Sequence, residues 1–153
     1  MELKNDFGFL ENKMSIEQYH RHNDIESWLY NYKIAEVAIE NLKAELVVLD
    51  TLKSVNIEIE GKGLGKVSSS VEDIQAKKEK IKSRIMVMES KLNKLNKALD
   101  ALKEEELYVI KSFYINQERY KEIGNKMQCS IISCKRIKKK ALNKIIIGVY
   151  GEL

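Results

Sequence analysis

The sequence contains no proline and only seven glycines in 153 residues, so few positions impose a break or a left-handed turn on the backbone. What replaces them is Lys, Glu, Leu and Ile, side chains compatible with helices once a face can pack. An all-α fold is the expectation. Cysteine is equally sparse. Cys129 and Cys134 lie close together and no second pair exists to complete a CxxC-type zinc site, so they read as small apolar residues in a reducing cytosol. No stretch approaches the roughly 18 consecutive apolar residues of a membrane span. The opening "MELKNDFGFLENKM" carries acids where a secretory signal needs bases and then an apolar run. A cytoplasmic protein without a membrane partner is expected.

Enzyme signatures are missing too. "GKGLGKVSS" lacks the GxxxxGK[ST] spacing of a phosphate loop, and no nucleophile elbow or metal cluster is present. His20 and His22 in "YHRHND" have no further His or Cys nearby and read as part of a solvated turn. Neither a catalytic residue, a metal site nor a cofactor is expected.

Charge is present in quantity but unevenly placed. From Arg119 to the end there are nine bases against Glu122 and Glu152, which leaves the first 118 residues at −3 of a total of +4. A near-neutral or acidic body with a basic terminal segment is the electrostatic footprint of a polyanion binder.

Along the chain, residues 1–23 are aperiodic and read as a loose arm, with at most a short helix around Ile16–His20. A heptad seam follows at Trp28, Tyr32, Ala35, Ile39, Leu42, Leu46 and Leu49, with Asn23 or Asp24 as the expected cap. A second seam runs Val71, Ile74, Ile81, Ile85, Met88, Leu92, Leu95, Leu99 and Leu102, interrupted by Lys78, with Ser69 and Glu72 as a capping box. Between them, "SVNIEIEGKGLGKVSSS" reads as a Gly/Ser-rich loop near 54–69 or a small β-hairpin. Residues 24–102 thus suggest a long antiparallel helical hairpin, although heptads alone also permit pairing between chains as a homo-oligomer.

Residues 103–153 differ in kind. "ALKEEELYVIKSFYINQ" puts Leu107, Ile110 and Tyr114 on one face. A short helix "YKEIGNKM", a turn "QCS" and a long basic helix from about Ile131 follow. Ser130 caps the last helix, Gly124 permits a close approach, and Cys134, Ile137, Ala141 and Leu142 form a buried stripe. Burying that stripe directs Ile132, Ser133, Lys135, Arg136, Lys139 and Lys140 outward. A support helix, a tight turn and a basic helix make a helix-turn-helix, whose second helix enters the major groove of double-stranded DNA. In that arrangement Ser130 and its helix N-terminus meet a phosphate, and Ile131, Ile132, Ser133, Lys135 and Arg136 face base edges. Lys121, Lys138, Lys139, Lys140 and Lys144 then contact phosphates. If the basic end is a module of its own, removing residues 119–153 abolishes DNA binding and leaves the hairpin helical.

"YKEIGNKMQCSIISCKRIKKKALNKI" resembles the helix-turn-helix of sigma-70 region 4, which binds the −35 promoter element. The matching positions are Glu122, Ile123, Gly124, Ser130, Cys134, Ile137, Lys140, Ala141 and Leu142. The pattern's turn glycine is replaced by Gln128, and Ile131 and Ile132 stand where sigma factors tend to carry Arg and Glu. The isoleucines suit thymine methyls or a protein partner. With "IESWLYNYK" opening the long helices, the layout is similar to phage and prophage late-gene regulators of the RinA and ArpU kind. That resemblance implies a DNA-binding transcriptional activator. The alternatives are a helical protein that bridges RNA polymerase or other partners, and a DNA-binding subunit like a phage small terminase.

Overall fold

The computed structural model describes residues 14–63 and 71–153, and all regular structure among them is helical. The order is α1 (Ile16–Tyr30), α2 (Tyr32–Gly61), α3 (Val71–Asp100), α4 (Glu104–Ile110), a π-helical segment (Lys111–Ile115), α5 (Tyr120–Met127) and α6 (Ile131–Tyr150). No described helix is long and apolar enough to cross a membrane.

The chain becomes helical earlier than its heptads suggest. Ser15 caps α1 through a reciprocal box: Gln18 N–H donates to Ser15 Oγ, and Ser15 N–H donates to Gln18 Oε1. Residues 16–23 therefore belong to a helix rather than to a loose arm, and Asn23 and Asp24 lie within it; residues 1–13 lie outside the described residues. The first seam is broken once, at Asn31, whose side-chain amide donates to Ser27 O and whose backbone leaves helical geometry. Trp28 thus sits on α1 while Tyr32 to Leu49 sit on α2.

The stretch around Val55, Ile57 and Ile59 is neither loop nor hairpin, because α2 runs on to Gly61. Their alternation is too short to outweigh the helical register already established. The rest of the expected loop, and Ser69 of the expected capping box, fall outside the described residues.

Helices α2 and α3 pack side by side in opposite directions: Tyr32 bonds to Asn96 near one end, and Lys53 bonds to Gln75 near the other. Ala35, Ile39 and Leu49 meet Ile74, Ile81, Ile85 and Leu92 in the interface. Lys78 interrupts the seam yet is buried, its ammonium paired with Asp50.

The core does not stop at residue 102. Ile25, Leu29, Leu95, Leu99, Ile110, Tyr114, Ala141, Leu142, Ile145 and Ile146 form one continuous cluster with the α2–α3 seam. Polar ties cross the same boundary: Tyr114 Oη donates to Glu26 Oε1 at 2.7 Å, Lys91 and Tyr150 both bond to Asp24, and Arg21 reaches Glu152 and the Leu153 carbonyl. A Cβ on Gly148 would lie 2.9 Å from that of Ala98, so the backbone of α6 passes directly against the Ala98 methyl of α3 there. The basic segment is thus one wall of the same core.

Candidate nucleic-acid interface

Helices α5 and α6 meet across a small cluster of their own. Val109, Ile123 and Cys134 are fully buried, and Phe113, Tyr120, Met127, Cys129 and Ile137 pack around them. Between the helices Gln128 takes a left-handed conformation (φ 56, ψ 43), strained for a residue with a side chain, and its N–H donates to Gly124 O. Cys129 N–H donates to the same carbonyl, and a Cβ on Gly124 would lie only 2.7 Å from Cys129 O. Gly124 is thus needed for contact with the turn itself. Ser130 then caps α6, accepting from Ser133 N–H at 3.1 Å.

This arrangement fixes which side of α6 meets solvent. Arg136, Lys139 and Lys140 are exposed, as are Ile131 (45%) and Ile132 (70%) at the first turn. Lys135 is also exposed, with its Nζ 5.4 Å from the centre of the Tyr120 ring, and Lys121 is exposed on α5. Ser133 is half-buried, its hydroxyl bonded to Ser130. Nearby acids are engaged: Glu122 accepts from Arg119 N–H, and Glu118 pairs with Lys126 at 2.9 Å. Asn143, three and seven residues beyond Lys140 and Arg136, shares their helix face and is partly exposed. Asparagine is a base-reading residue type that carries no charge to mark it in the sequence, although its spacing alone places it there.

Two of the lysines expected on phosphates point elsewhere. Lys138 lies one turn from Cys134 and one from Leu142, on the buried side of the helix. Its Nζ sits 4.3 Å from the centre of the Phe113 ring, with Tyr114 and Tyr120 also facing it, so aromatic faces solvate the charge. Lys144 donates to Glu106 Oε1 at 2.7 Å, and Glu106 is buried. Burial pushes the Glu106 carboxyl up, but the Lys144 hydrogen bond and charge outweigh it and hold it below the usual range. Both lysines fasten α6 to α4 and its π-helical continuation.

The two sulfurs, Sγ to Sγ 3.3 Å apart, pin the turn to α6, and burial with the Cys129 contact pushes the Cys134 thiol up to about 11. A thiol held protonated is a poor nucleophile. His22 faces Glu26 at 3.6 Å, and among the described residues no three His, Cys, Asp or Glu side chains gather as a metal site would require. Comparison with family models, with curated proteins and with solved structures gave no significant match.

Proposed function

We propose that the chain is a sequence-specific DNA-binding transcriptional regulator that lays the first turns of α6 in the major groove. The observation that carries this reading is the solvent face of α6, where Lys135, Arg136, Lys139 and Lys140 stand behind a capped N-terminus with no acid among them. Arg136 suits guanine, Asn143 suits adenine, and Lys121, Lys139 and Lys140 suit phosphates. The resemblance to late-gene regulators extends the proposal to an activator of phage or prophage genes. A second reading, a module docking on RNA polymerase or another protein, is favoured by one feature: the exposed pair Ile131 and Ile132.

Salt-dependent binding to duplex DNA distinguishes them. Each phosphate contact removed makes the negative slope of log K against log salt shallower by about 0.9. The triple variant Arg136→Ala, Lys139→Ala, Lys140→Ala is expected to lose affinity and slope together while remaining helical. Lys138→Ala is expected to lower the melting temperature and leave the slope unchanged. Unaltered DNA affinity and slope in the triple variant would overturn the proposal.

A further inference from the structure

Helix α2 carries two seams, and α3 covers only one of them. On nearly the opposite side from Ala35, Ile39, Leu42, Leu46 and Leu49 runs a second series: Ile34, Val37, Asn41, Ala44, Val48, Thr51, Val55 and Glu58. Its steps alternate between three and four, the spacing of an a/d stripe. All eight are exposed, including Ile34 at 67% and Val48 at 57%, with Val47 and Leu52 exposed beside them. A helix apolar on both sides is ordinarily covered on both sides.

We infer that this outer face of α2 is a homodimer seam, closed by the same face of a second copy lying antiparallel. The stripe is itself complementary to such a copy. With a two-fold axis beside Leu46, Val37 meets the partner's Val55, Ala44 meets the partner's Val48, and every contact occurs twice. The small Ala44 lets the helices approach closely at the centre. The polar positions match in this register: Asn41 comes opposite the partner's Thr51, amide to hydroxyl. At each end of the seam Glu58 comes opposite the partner's Ile34, where the partner's Lys33 lies beside it and can pair with the carboxylate. A parallel pairing stacks Glu58 on the partner's Glu58 within the seam itself, a like-charge contact that disfavours it. The inference is independent of what α6 binds.

Light scattering on the full chain reads the association directly, with twice 17.7 kDa expected. Val48→Glu places a charge in the seam of each copy and is expected to weaken association by about 100-fold or more with helicity unchanged. Because residue 48 is solvent-exposed in the single chain, the fold tolerates the change; Val37→Glu repeats the test at a second layer. For the register, a chain with Cys129→Ser and Cys134→Ser receives Val37→Cys and Val55→Cys. Oxidation is expected to join position 37 to position 55 between copies. A monomer at all accessible concentrations, a dimer indifferent to both glutamates, or links joining 37 to 37 would each overturn the inference.

Discussion

The two ends of the molecule are held together differently. Where α1 and α6 meet the near ends of α2 and α3, and α4 and α5 pack on α6, Ile25, Leu29, Val109, Ile110, Tyr114, Ile123, Cys134, Ala141 and Ile145 have no exposed surface. Farther out, where α2 and α3 are alone, Lys78 and Asn56 are among the buried residues, while Val47, Val48, Leu52, Val55 and Ile57 face water. Two helices share a single contact stripe and cannot enclose a core, whereas five or six can surround one. Local stability should follow, with opening of the outer α2–α3 segment costing less than opening of the head.

The most damaging way to break this comparison is to remove residues 119–153. The cut bares Ile25, Leu29, Leu95 and Leu99, and the remaining chain is expected to lose most of its helical circular dichroism; a cooperative melt of the remnant would mean that the paired helices suffice on their own. Next come matched cavities. Ile145→Ala in the head is expected to cost about 4 kcal/mol and Leu49→Ala in the outer pair about 2 kcal/mol, read from urea midpoints. Equal costs would remove the energetic side of the contrast.

Acid provides a smaller test. Glu106 has a folded value below its ordinary 4.5, so its contribution is complete above that pH and is lost as pH falls through the lower folded value. Glu106→Gln is expected to cost about 1–2 kcal/mol at neutral pH and to flatten the acid limb of stability against pH. Asp50 is also held low by Lys78, but its side chain is 61% exposed, so Asp50→Asn should flatten that limb less. The smallest expected change is a gain: Gln128→Gly relieves the left-handed residue and should stabilise by about 1 kcal/mol or less, seen as a slightly higher melting temperature.

Legibility in the sequence followed the range of the interactions. The bounds of α5 and the start of α6 could be read directly, because Ser130, Gly124 and the Ile123/Met127 spacing act within one or two turns. The helical nature of α1 was equally local but weakly amphipathic; Ser15 and Gln18 were its only clear signal, and the stronger heptad beginning at Trp28 drew the boundary too late. Lys144 was misplaced for a different reason. Its partner Glu106 is 38 residues away, so neither spacing nor composition could link them. Lys138 could have been placed by its four-residue offset from Cys134 and Leu142, had the lysines been sorted by helix face rather than counted as a run. The outer seam of α2 was hidden by its neighbour: once one heptad explains a helix, a second interleaved with it reads as mere excess hydrophobicity.

One feature of α6 has a mechanical consequence. A single uninterrupted helix bears Arg136 and Lys140 on its outer face and Ile145 and Ile146 in the core, and Gly148 lies flush against α3. An α-helix bends little over five turns and has no swivel. The bearing of the basic face relative to the long α2–α3 rod is therefore set as in a bracket, without a hinge between grip and shaft. On the DNA-binding reading proposed above, any mismatch with a curved or straight duplex would have to be taken up by the duplex.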